Sequence, residues 1–200
     1  SGKMGSSFDA RMEELHFSDM TFLAGCACPT LCVLYEDSML YANETHRPRI
    51  KVYRVNLRDK ALVAGTMNAE VAVIMSDGEE EGAGVAADPV ASVHVAEIGA
   101  SMLVPVPLPR GGVLVLGVQT ISYYSVVEPS GSSSANDQVG LRRVATIGTG
   151  CGDIATCEPI DDDGARFLIG DAAGGLHVLQ FGSNDNELLF GLEEESQRLL

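Results

Sequence analysis

Short apolar and β-branched runs recur along the chain, at residues 15–23, 29–36, 49–58, 91–98, 102–107, 113–118, 120–126, 143–149, 166–170 and 174–181. Within several of them bulky residues alternate with smaller or polar ones, the period-2 pattern of a strand with one buried face. Gly, Pro, Asp and Ser clusters punctuate the intervals. Helical spacing is weak and confined to residues 59–74 and the C-terminal ELLFGLEEESQRLL. Many short strands separated by turn residues predict an all-β fold of the sandwich, barrel or propeller type.

Three polar segments interrupt the series and read as exposed insertions: SMLYANETHRP (38–48), the acidic SDGEEEGAGVAADP (76–89) and the Ser-rich EPSGSSSANDQ (128–138). With these set aside, paired strands return every several tens of residues. PTLCVLYED is followed by RIKVYRVNL, while GGVLVLGVQTISYYSVV and ARFLIGDAAGGLHVLQF each give strand, turn and strand. Such repetition favours propeller blades over a sandwich. The first seven residues read as a tag remnant or flexible N-terminus, 8–182 as a partial β-propeller, and 183–200 as a divergent segment, strand or helix.

The turn in FLIGDAAGGLHVLQF invites a phosphate-cradle reading. A P-loop needs Lys and then Ser or Thr after its last Gly, where this chain has Leu176 and His177. A dinucleotide fingerprint needs a following helix, whereas LHVLQF alternates as a strand. Gly170, Gly174 and Gly175 are therefore expected to shape a hairpin turn, capped by Asp171.

The 200 residues carry a formal charge of −15 with only 13 Lys and Arg, so no basic face is available for a nucleic-acid backbone. No apolar run reaches the roughly 18 residues that a spanning helix needs, so neither nucleic acid nor membrane is an expected direct partner. Cys26, Cys28, Cys32, Cys151 and Cys157 are expected as buried, unpaired thiols. The C-x-C-x3-C spacing of the first three lacks zinc-knuckle form, and Cys32 alternates with Leu31 and Val33 as a strand residue. His16, His46, His94 and His177 sit in no nucleophile motif. In DDDGARF, counting from Asp161, an EF-hand would place Gly where Arg166 stands and Glu where Ala172 stands, so a charged turn is expected. Glu79–Glu81 read as a solvated loop. Pro105, Pro107 and Pro109 read as a strand end entering the turn at Gly111–Gly112. No catalytic, metal, cofactor or binding residue is assigned.

The blocks FDARMEELHFSDMTFLAGCACPTLCVLYED and IKVYRVNLRDK, then AEIGASMLVPVPLPRGGVLVLGVQTISYY, then GARFLIGDAAGGLHVLQF, together resemble a known family. It is that of the large subunit of the UV-damaged DNA-binding protein, the cullin-4 ubiquitin-ligase adaptor. The resemblance covers more than half of the chain. It rests on Glu13, Glu14, Leu15, His16, Phe22, Leu23, Gly25, Cys26, Pro29, Thr30, Leu57, Arg58, Gly111, Gly112, Gly117, Ile121, Tyr123, Gly170, Asp171 and Gly174.

The resemblance implies about three to four WD40-like blades of a first propeller, in a family whose members carry three seven-bladed propellers. It implies a non-catalytic scaffold without cofactors that links WD40-type substrate receptors to a cullin through the rest of the parent chain. A separate receptor subunit would read the DNA lesion, and the protein would reside in nucleus and cytoplasm. The propeller scaffolds of splicing and mRNA 3′-end processing share the architecture and give the alternative reading. The insertions and the sequence after Phe181 depart from the pattern, so no binding residue is carried over.

Overall fold

Short strands that bury one or both of their faces sort the chain into packed sheets. The computed structural model describes residues 15–37, 48–64, 94–95, 99–127, 139–183 and 187–192. Among these residues all regular structure is strand. The elements are β1 (Leu15–Phe22), β2 (Thr30–Asp37), β3 (Arg49–Asn56), β4 (Ala61–Ala64), β5 (His94–Val95), β6 (Met102–Pro105), β7 (Val113–Leu116), β8 (Thr120–Val127), β9 (Gly140–Gly148), β10 (Ile154–Pro159), β11 (Arg166–Asp171), β12 (Leu176–Phe181) and β13 (Leu188–Leu192). They form three antiparallel meanders: β1-β2-β3-β4 with β5 also on β3, β6-β7-β8-β9, and β10-β11-β12-β13. Four-stranded sheets arranged side by side are the blades of a partial β-propeller.

Several sequence expectations change. The weak helix at 59–74 is, over its described part, a turn followed by β4, and the helical candidate ELLFGLEEESQRLL contributes strand β13. Cross-strand pairing decides both cases. Tyr53 to Asn56 pair with β4, and β13 pairs with β12 from Phe181↔Leu188 to His177↔Leu192. Tertiary partners override a weak periodicity. Strand β10 was not anticipated, because IATCEP buries only Cys157 and offers no clear alternation. The expected strand 91–98 is described only as β5, which pairs with Arg49 and Ile50 of β3. There it takes up the edge of β3 that β4 leaves, so the outer strand of this blade is made from two pieces with residues 65–93 between them. The segments 38–47, 76–89 and 128–138, and the N-terminal residues 1–7, lie outside the described residues.

Two cores hold the blades together. Cys32, Leu34, Ile50 and Val52 of the first blade meet Leu103, Val113, Val115 and Tyr124 of the second. The opposite face of the second blade, with Leu114, Leu116, Ile121 and Tyr123, meets Phe167, Ile169, Leu179 and Phe181 of the third. Each strand thus serves both neighbours through its alternate side chains, which is why β7 is buried at every position.

Polar contacts fix the blades at their axis-facing ends. A register shift between Phe17 and Asp19 turns the Asp19 carboxylate toward the second blade, where it accepts the Leu103 N–H at 2.7 Å. The PVPLPRGG segment forms the β6–β7 corner. Ala24 bridges to Gly112, the Tyr123 hydroxyl donates to the Gly111 carbonyl at 3.1 Å, and the Arg110 guanidinium lies 5.2 Å from the centre of the Phe181 ring. Gly112 has φ +85°, and a Cβ there would strike the Tyr124 carbonyl oxygen.

Phe167 is fully buried between the second and third blades. Phe167→Ala is expected to lower stability by about 3–5 kcal/mol, read as a fall in the urea midpoint. Gly112→Ala is expected to destabilise as well, through a clash with the backbone and not through a cavity, so Gly112→Ser should be no milder.

Candidate interaction surface

The residues that could suggest chemistry are mostly consumed by the fold. In the β11–β12 turn the Asp171 carboxylate accepts the Ala173 N–H at 3.0 Å, the Gly175 N–H at 2.6 Å and, through its other oxygen, pairs with His177 Nε2 at 2.9 Å. Gly174 supplies the positive φ of +89° that closes the turn. The phosphate-cradle geometry is thus filled by the protein's own carboxylate. His177 and Asp171 side chains are 9% and 8% exposed, and Phe190 stacks on the imidazole at 5.2 Å. The bond from His177, followed by that from the Gly175 amide, holds the Asp171 carboxyl below the usual carboxylate range.

The DDDGARF turn is equally self-contained. Arg166 makes a bidentate pair with Asp161 at 2.8 and 2.9 Å, and Asp163 accepts the Ala165 N–H. The Asp161 carboxyl is lowered chiefly by its hydrogen bond to Arg166. Its carbonyls are used too: Asp161 accepts the Gly164 N–H and Asp163 accepts Arg110 Nη1 at 3.2 Å.

The cysteines divide by position. Cys32 and Cys157 are buried in the two cores, and burial first, then the charge of Asp19 or Glu158, pushes each thiol up to about 12. Cys26 and Cys151 are half-buried, and Cys28 is exposed in the β1–β2 loop. The expectation of buried thiols therefore fails at Cys28: with Cys26 it sits where the chain reverses over the surface. None of the five cysteines is in a disulfide. Thr30, beside that loop, is fully buried and donates to the Cys28 carbonyl at 2.9 Å.

His16 lies exposed on β1 and His94 is the first residue of β5, whereas His46 and Glu79–Glu81 fall outside the described residues. Among the described residues no three His, Cys, Asp or Glu side chains come together in a way that could hold a metal ion. Pro107 packs against Gly164 of the third blade, so the proline segment is a corner between blades.

What the fold leaves available is apolar surface. A groove of about 710 Å³ runs where the innermost strands of the three blades converge, lined by Phe22, Leu23, Met102, Val104, Cys157 and Pro159 among others. Exposed apolar side chains flank it: Phe22 is 59% exposed and Leu108, on the β6–β7 corner, 56%. Isolated exposed apolar residues are ordinary, so it is their position beside this groove that makes it the candidate contact surface among the described residues. Sequence reasoning missed the β10 wall of this groove. The signal was the hairpin turn DDDGAR, which requires a strand before it as well as after it.

Comparison with known proteins adds the family. The model of the RSE1/DDB1/CPSF1 first beta-propeller matches residues 1–193. The chain is 33% identical to DNA damage-binding protein 1a of Arabidopsis thaliana over 97% of its own length, and 31% identical to DNA damage-binding protein 1 of Oryza sativa subsp. japonica over the same share. It spans 14% of the length of each of these relatives.

Two measurements probe these assignments. The native Asp171 carboxyl titrates lower than in the unfolded chain, whose value is about 3.9. Its contribution is therefore complete above that pH and is lost as pH falls through the native value. Asp171→Asn should lower stability at neutral pH and reduce the loss of stability below about pH 4, as seen in urea melts across pH. Thiol labelling of the folded chain should modify Cys28 first and leave Cys32 and Cys157 protected until denaturation.

Proposed function

The chain belongs to the RSE1/DDB1/CPSF1 first β-propeller family, and from that premise we propose that it is part of a non-catalytic scaffold serving DNA-damage recognition and repair. The scaffold links WD40-type substrate receptors to a cullin-4-type ubiquitin ligase, and it acts in the nucleus and cytoplasm. The blades supply a rigid frame, and the loops and apolar rims at the strand ends supply contact area. Affinity on such a surface comes from a few apolar or aromatic anchors and not from the charge as a whole.

The observation that carries this reading is the 33% identity to DNA damage-binding protein 1a over 97% of the chain. The geometry supports it from the other side. Both polar turns that could suggest catalysis or phosphate binding spend their carboxylates on the backbone, on His177 and on Arg166. With a formal charge of −15 the scaffold does not itself hold DNA, and lesion reading falls to a receptor subunit.

Affinity purification of the parent protein from its own cells, followed by mass spectrometry, tests the assignment. A cullin and several WD40 receptors are the expected companions. Recovery of splicing or polyadenylation subunits in their place would move the function to RNA processing while keeping the propeller.

A further inference from the structure

The sequence sets two thiols side by side where the chain reverses over the surface. Cys26 and Cys28 lie in the β1–β2 loop with Ala27 alone between them. Cys32 and Cys157 are enclosed in the two cores, and their raised thiols take no part in nucleophilic chemistry at neutral pH. Cys28 is exposed, and Cys26 is half-buried against the first core. The loop stands at the end of the first blade and not on its face, so blades packed alongside leave it at the rim.

Local geometry brings the pair within bonding reach. In an extended chain, Cα atoms two residues apart are separated by at most about 7 Å, and here the chain bends at Ala27 and Cys28. A bend shortens that separation into the range of about 4.4–6.8 Å that a disulfide spans. The loop is also held on both sides of the pair. Before it, Ala24 bridges to Gly112, and Gly25, with φ +84°, lies against Leu108. After it, the Cys28 carbonyl accepts the Thr30 hydroxyl at 2.9 Å and the Pro29 carbonyl accepts the Val55 N–H at 2.8 Å. Little chain freedom is lost when such a short ring closes, so each sulfur sees the other at high effective concentration.

We propose that Cys26 and Cys28 are a peroxide-sensitive dithiol, in which hydrogen peroxide oxidises Cys28 and Cys26 then closes a disulfide within the loop. In the first step the Cys28 thiolate attacks one peroxide oxygen and the O–O bond breaks. Cys28 becomes a sulfenic acid, and the other oxygen leaves as hydroxide and takes up the thiol proton to give water. In the second step the Cys26 sulfur attacks Cys28 Sγ, the S–O bond breaks, and the hydroxyl departs as water with the Cys26 proton. Accessibility sets the order, because the exposed Cys28 meets the oxidant first. The inference concerns these two side chains and does not rest on the proposed scaffold role.

Differential alkylation of the parent protein reads the outcome. The folded protein is treated with hydrogen peroxide, blocked in denaturant with a light maleimide, reduced, labelled with a heavy maleimide and digested for mass spectrometry. Heavy label is expected on Cys26 and Cys28 together, with Cys32 and Cys157 carrying the light one. Cys26→Ser should stop at the Cys28 sulfenic acid, trapped as its dimedone adduct. Cys28→Ser should oxidise Cys26 about tenfold more slowly, since access governs the first step. The proposal is overturned by heavy label missing from the pair or shared with Cys32, by an oxidised Cys28 beside a reduced Cys26 in the unmodified protein, or by a disulfide from either residue to another chain. A Cys26→Ser protein without the adduct, or undiminished oxidation of Cys26 in Cys28→Ser, overturns it as well.

Discussion

The constraint on which this structure depends is that a propeller blade has no inside and outside in the ordinary sense. Both of its faces are buried, against one neighbour each. In the second blade, β7 buries Val113, Leu114, Val115 and Leu116 together, with Val113 and Val115 serving the first blade and Leu114 and Leu116 the third. A sheet of this kind is stable only in company, since removing either neighbour exposes half of its side chains to water. The chain responds by making its inter-blade contacts specific as well as apolar. The Asp19 carboxylate takes an amide of β6, and the Tyr123 ring meets Phe181 edge-on at 4.8 Å while its hydroxyl is tied to Gly111.

Polar residues in this fold are therefore read best as fasteners. An ionised carboxylate inside a turn can satisfy several backbone amides at once, and charge-assisted bonds of that sort are short and strong. Asp171 does so between β11 and β12 and extends the arrangement to His177, which Phe190 then covers. Asp161 does the equivalent with Arg166 between β10 and β11. Ser122 and Thr146 share a 2.8 Å hydrogen bond between neighbouring strands in the second blade. Among the described residues, the groups that make the sequence look chemically suggestive, Asp161, Arg166, Asp171 and His177, are engaged with one another and with turn amides.

Strands that fall on apolar runs were legible from sequence: β2, β3, β7, β8, β11 and β12 all coincide closely with such runs. The misses have physical causes. β10 lines the groove with few buried side chains, so its sequence carries no hydrophobic signature beyond Cys157. β4 and β13 are outer strands, where one-sided packing permits sequences that mimic a helical period, and only pairing with β3 and β12 identifies them. The role of Asp171 as a turn cap was readable from the Asp and Gly spacing. Its partnership with His177 follows from cross-turn geometry and needed the structure. The division of the outer strand into β4 and β5 was hidden for a different reason, because no local pattern reveals that residues 64 and 94 serve the same edge of β3.

Charge and apolar surface play separate parts in such a molecule. A net charge of −15 keeps copies apart at long range and disfavours encounters with nucleic acid, yet it is screened within about 10 Å at 0.1 M salt. At contact distance the blade faces decide. Phe167, Ile169 and Leu179 between the second and third blades carry no charge and are fully buried, so their desolvation favours the packed arrangement. A fold built this way resists nonspecific polyanion contact through its field and holds its blades together through shape.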